Sequence, residues 1–150
     1  LPPGTGDTQL TLAQKIPVSG AVIITTPQDI ALLDARKGLK MFEKVNVPVL
    51  GIIENMSIHI CSQCGHEEYI FGQGGGLRMA QENEVDFLGA LPLDITIREQ
   101  ADSGKPSVIA DPNGRIAQIY REIARRVAAK LSLQAKDYTT KFPTIKILNS

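Results

Sequence analysis

Gly20-Ala-Val-Ile-Ile-Thr-Thr26 is a continuous, largely β-branched run, fenced by Pro17 before it and Pro27 after it. Without polar alternation, it has the pattern of a strand covered on both faces, as inside a parallel sheet. Pro48-Val-Leu-Gly-Ile-Ile53 repeats the pattern, and Phe87-Leu-Gly-Ala-Leu91 gives a weaker third copy. Between the first two, residues 28–45 place Leu32, Ala35, Leu39 and Phe42 at helical spacing, with Arg36, Lys37, Lys40, Glu43 and Lys44 on other faces. Strand, helix and strand within about 35 residues make a βαβ unit. Residues 7–16 read as a short helix entering that unit. Residues 114–131 read as an amphipathic helix with Ile116, Ile119, Ile123, Val127 and Leu131 on one stripe. These elements predict an α/β fold, part of a doubly wound, mainly parallel sheet with flanking helices.

The totals agree with a globular chain. Its 150 residues are 43% hydrophobic and 21% charged, enough to bury roughly 70% of the unfolded surface. Sixteen basic residues balance sixteen acidic ones, so no net field favours nucleic acid or an anionic membrane. The longest apolar runs are strand-sized, far below the ~20 residues of a membrane span. No basic segment followed by an apolar core marks a secretory leader. The expectation is a cytoplasmic protein with no nucleic-acid or membrane partner. The chain opens on Leu1-Pro-Pro-Gly4 without a methionine, which reads as a fragment whose N-terminal half is missing. Residues 1–136 read as the C-terminal portion of one domain. Residues 137–150 are a polar tail, with Phe142-Pro-Thr-Ile-Lys-Ile147 as a possible short edge strand or a plain extension.

Residues 55–76 break the alternation and hold both cysteines, both histidines and Gly74-Gly75-Gly76. A stretch this long and irregular between strand and strand is functional or mobile. Cys61-Ser-Gln-Cys64-Gly65 is its sharpest feature, because the glycine permits the tight backbone that turns two sulfurs toward one metal. Two cysteines cannot form a disulfide framework, and their spacing points to metal or redox chemistry in a reducing compartment. Zinc and iron–sulfur sites commonly take four ligands. Four readings stay open: zinc completed by His59 and His66, a redox pair, two inert thiols, or a site completed by a second copy across a twofold axis.

Three further stretches are candidates for a ligand. Leu1-Pro-Pro-Gly-Thr-Gly-Asp7 is a Gly-rich turn entering a helix, able to present backbone N–H groups to an anion; Asp7 or Thr8 can equally be a simple cap. Gly51-Ile-Ile-Glu-Asn55-Met56 and Gly89-Ala-Leu-Pro92-Leu-Asp94 end two successive strands, where open α/β sheets bind ligands. The Asn55 amide offers a donor and an acceptor, which suits a purine edge, or it is a turn residue.

Read together, PPGTGD, ENMS with a close Cys-x-x-Cys, LPLD, and IRE before DSGKP (102–106) resemble the C-terminal half of an Mrp/ApbC-type iron–sulfur cluster carrier ATPase. That family belongs to the deviant P-loop NTPases related to MinD and ParA. The resemblance runs from Leu1 to about Leu131, and KFPTIKI near the C-terminus is similar too. It implies that the Gly4 amide faces a γ-phosphate, that Asn55 holds the adenine base, and that Pro92 lies on the loop closing over it. It implies that Cys61 and Cys64 bind a 4Fe–4S cluster bridging a homodimer, which is then handed to recipient apoproteins. Thiolate ligation in a loop suits that task. The family's Gly-rich P-loop, with its lysines and Mg²⁺-binding hydroxyl, is not among these residues. The resemblance therefore assigns ATP, Mg²⁺ and hydrolysis to a full-length parent, and no catalytic residue to this chain. The rival is a zinc-binding dimerisation module without catalysis. A MinD-like positioning ATPase is disfavoured, because no basic amphipathic anchor follows the last helix.

Overall fold

The computed structural model describes residues 7–134; the candidate Gly4 and the tail strand at 142–147 lie outside them. Three strands, β1 (Ala21–Thr25), β2 (Val49–Glu54) and the later β5 (Phe87–Ala90), form a parallel sheet in the order β1-β2-β5. Their register aligns Ile23 with Ile52 and Ile52 with Phe87. These residues face one side, and the neighbouring residues Val22, Ile53 and Leu88 face the other.

Each side is covered by helix. The α1 helix (Asp7–Lys15) precedes β1, and α2 (Asp29–Lys44) links β1 to β2. Leu32 and Leu39 of α2 pack on Ile23 and Ile52, joined by Met79 and Ala80 of α3 (Gly75–Glu82). The expected helix at 28–45 thus buries the stripe its spacing assigned. On the opposite face α6 (Arg115–Leu133) sets Ile119, Ile123 and Val127 against Ile53, Leu88 and Leu91. Leu131 belongs to the same stripe but lies past the covered surface and is 43% exposed. The two-sided cover makes β2 the most enclosed strand: Ile52 is fully buried.

The remaining elements are short. A two-residue ladder pairs β3 (His59–Ile60) with β4 (Glu67–Glu68) in antiparallel fashion. The α4 (Ile95–Asp102) and α5 (Ser107–Ala110) helices lead into α6. Asn46 and Glu84 take left-handed backbone just past α2 and α3, the usual way a helix is closed. Ion pairs from Arg36 to Glu82 and from Lys130 to Asp86 fasten α2 to α3 and α6 to the segment before β5. Among the described residues no helix is long and apolar enough to cross a membrane. One side of β1 has no strand partner among the described residues. Ile24 there is 62% exposed, and the adjacent groove of about 660 Å³ includes Leu12, Ala13 and Val22 in its lining.

Candidate functional site

Because the sheet is parallel, the carboxyl ends of β1, β2 and β5 share one edge. Asn55 follows β2 at that edge, where its N–H donates to the Thr25 carbonyl across the sheet (2.7 Å). Its Oδ1 accepts from the Met56 N–H (3.0 Å), and Met56 takes positive φ (54°), a conformation uncommon outside glycine and often kept at functional positions. Pro92 lies one strand over, two residues after β5. It lines a separate cavity of about 250 Å³ with Ile60, Asp94, Thr96, Gln100 and Arg115 among its walls, whereas Asn55 borders the groove along β1. Asp94 is the N-cap of α4: its Oδ1 accepts from the Thr96 N–H (2.8 Å). The LPLD aspartate therefore has a structural use that its strand-end position alone did not indicate.

The cysteines occupy the turn of the β3–β4 hairpin, which rises from the same edge. The Gly65 N–H donates to the Cys61 carbonyl and the Cys61 N–H to the His66 carbonyl, each at 2.9 Å. Gly65 sits at φ 73°, the left-handed conformation a knuckle of this length requires. Cys64 is exposed and Cys61 half-buried. The backbone amide of Cys64, then that of Gln63, then the Cys64 thiol hold the Cys61 thiol below its ordinary value, with a smaller push from His59; desolvation opposes them. A thiol lowered in this way carries more thiolate, the form that binds metal.

Neither histidine joins the thiols. His59 directs Nδ1 at the Leu93 carbonyl (3.1 Å), and His66 Nε2 stands 3.9 Å from the Glu68 carboxylate. Among the described residues no three His, Cys, Asp or Glu side chains gather into a metal-holding group. One chain thus presents two thiols as a pair.

Sequence reading passed over Glu54. Its carboxylate is 3% exposed at the end of β2, and Oε2 accepts the Gly76 N–H at 2.6 Å, at the start of α3. A Cβ at Gly76 would stand 3.0 Å from the Glu54 Cβ, and one at Gly75 would stand 2.7 Å from the Pro27 carbonyl. Gly75 and Gly76 therefore form a close-approach surface where α3 begins. The available signal was an acidic residue at a strand end preceding a helix rich in bare N–H groups.

A parallel sheet covered by helices on both faces, with irregular loops at its carboxyl edge, defines a doubly wound α/β protein, and solved structures agree. A nucleotide-binding protein from Archaeoglobus fulgidus in complex with ADP matches with TM-score 0.65 and 33% identity, over 80% of this chain and 48% of that one. The cell division ATPase MinD of Pyrococcus furiosus shares the fold at TM-score 0.58 and 22% identity, over 74% of this chain and 43% of that one. The family model described as ParA, NUBPL iron-transfer P-loop NTPase, matches residues 1–128, and the chain belongs to that family. An iron–sulfur cluster carrier protein of Pseudomonas fragi is 66% identical over 83% of this chain and 43% of its own length. Its Escherichia coli (strain K12) counterpart is 60% identical over 91% and 37%. The iron–sulfur cluster transfer protein NUBPL of Mus musculus is 52% identical over 87% and 41%. The chain spans about two fifths of the length of these relatives.

Proposed function

We propose that this chain is the cluster-holding and base-recognising part of an iron–sulfur cluster carrier. Cys61 and Cys64 ligate a 4Fe–4S cluster as cargo. Two copies, each contributing its pair, supply four thiolates, and the assembled cluster passes to recipient apoproteins. The observation that carries this reading is the Cys61–Gly65 knuckle, which offers two thiols, one of them lowered toward thiolate, at an exposed hairpin tip. Soft thiolates suit iron–sulfur chemistry, and exposure suits hand-over. The names of the relatives point the same way.

ATP binding and hydrolysis belong to the full-length protein, where a P-loop supplies the phosphate cradle and Mg²⁺ ligand. Here Asn55 and Pro92, which follow neighbouring strands at one sheet edge, serve the adenine base, and the Gly4 amide serves the γ-phosphate. The protein works in the cytoplasm.

The test is iron and acid-labile sulfide per chain, measured on size-separated monomer and dimer after anaerobic reconstitution. Cluster confined to the dimer, and lost on either Cys61→Ser or Cys64→Ser, is the expected result. Cluster on a strict monomer overturns the two-chain site, and stoichiometric zinc in place of iron overturns the carrier reading. For the nucleotide, Asn55→Ala in the full-length protein should weaken ATP binding; unchanged affinity removes the base-recognition role.

A further inference from the structure

The hairpin does not leave the sheet freely. Beyond Glu54 the chain stays zipped to the segment after β5. The Ser57 N–H and hydroxyl both donate to the Leu91 carbonyl (2.9 and 3.0 Å), and the Leu93 N–H donates to the Ile58 carbonyl (2.8 Å). His59 then closes the zipper through Nδ1 to the Leu93 carbonyl at 3.1 Å. That acceptor is a carbonyl, so Nδ1 carries the proton. Pro92 is bracketed by these contacts: the residues on both sides of it are bonded to 57–59, and its own ring fixes φ. Cys61 follows His59 by two residues, and Ile60 between them shares a cavity wall with Pro92 and Leu93. The Pro92 loop and the base of the cysteine turn are therefore hydrogen-bonded to each other along 57–59 and 91–93.

From this geometry we infer that His59 is a positioning residue: its bond to Leu93 couples occupancy of the base site at Pro92 to the placement of Cys61. This rests on the reading of Pro92 as a nucleotide contact and of Cys61 as a cluster ligand. His59 is not itself a ligand. It sets whether nucleotide changes how the cluster is released. Of the four bonds that join 57–59 to 91–93, the His59 bond is the one nearest Cys61. A contact couples two sites only if it distinguishes their states, and such couplings typically run to about fivefold or more.

The experiment uses the full-length protein with its phosphate-binding loop, reconstituted with cluster, and compares wild type, His59→Leu and His59→Asn. Asparagine is chosen because its Nδ2–H can reach a carbonyl much as the imidazole Nδ1–H does. The first readout is the rate of cluster loss to an iron chelator with and without ATP or ADP. The second is amide hydrogen exchange across 57–66 on nucleotide addition to the cluster-free protein. Iron per chain should be equal in all three proteins. Wild type should show a nucleotide-dependent change in release of about fivefold or more, together with altered exchange. His59→Leu should lose most of both responses, and His59→Asn should regain them. A full response in His59→Leu, or an Asn variant as flat as the Leu variant, overturns the inference. So does a wild type that binds nucleotide yet shows neither response. A wild type that holds no cluster removes the ligand reading instead, and hydrogen exchange still decides the tether. A wild type that binds no nucleotide removes the Pro92 reading and the inference with it.

Discussion

Strand β2 and the cysteine hairpin are consecutive in sequence and opposite in construction. In β2, residues 50–54 are buried, with Ile52 wedged between α2 and α3 on one face and its neighbour Ile53 under α6 on the other. In the hairpin, residues 62–70 are all exposed, and the turn is held by backbone bonds and one left-handed glycine. Stability is concentrated in the first region, and the second carries the two free thiols. The two should therefore fail independently: injury to β2 unfolds the protein, and injury to the hairpin disarms a folded one.

Four substitutions or measurements can break that division. The largest effect on stability is expected from Ile52→Ala, which leaves a cavity in a fully buried position and should cost about 2–5 kcal/mol by denaturant titration. Iron bound per folded chain should not change. Glu54→Ala comes next. It strands the buried Gly76 N–H and should cost about 1–3 kcal/mol, with faster hydrogen exchange at the start of α3, whereas Glu54→Gln keeps an acceptor and should lose less. Gly65→Ala is smaller. Open space surrounds the position, so the cost is only that of forcing a left-handed residue, about 1 kcal/mol; a loss as large as that of Ile52→Ala would erase the distinction between the regions.

The smallest stability effect, near zero, accompanies a change in reactivity at Cys61. Its thiol is lowered, so its alkylation rate should rise with pH through a midpoint below that of a free cysteine. Thiolate, and metal affinity with it, should be lost only as pH falls through that lowered midpoint. The backbone amide of Cys64 is the largest cause, so Cys64→Ser should keep most of the lowering. Iodoacetamide rates resolved by peptide mass across pH check this, and a midpoint at or above the free value contradicts it.

The legibility of these regions in sequence follows the same division. The β1–α2–β2 unit was readable because burial on two faces writes a long apolar signature into the chain, and α6 because nineteen residues give periodicity room to repeat. Helix α3 was not readable. It spans eight residues and starts at a glycine triplet that reads as a breaker; its N-terminal N–H is satisfied by Glu54, 22 residues earlier. The β3–β4 ladder has two residues per strand, too few for any alternation to register. At the site, spacing announced Cys61, Cys64 and Gly65, because local geometry alone makes a knuckle. It could not announce Glu54, Ser57 or the His59 tether, whose meaning depends on partners brought close only by the sheet.

The hairpin occupies a connection that the sheet could make without it. Strands β2 and β5 are neighbours, and a parallel crossover needs little more than a helix such as α3. Chain-closure entropy rises only logarithmically with connection length, each doubling costing about 0.6 kcal/mol. An inserted hairpin at residues 57–71 is therefore nearly neutral for folding, provided its two ends return to the sheet edge, which Ser57 and Glu54 ensure. Transplanting a different turn between the same two anchor points should therefore leave the fold intact.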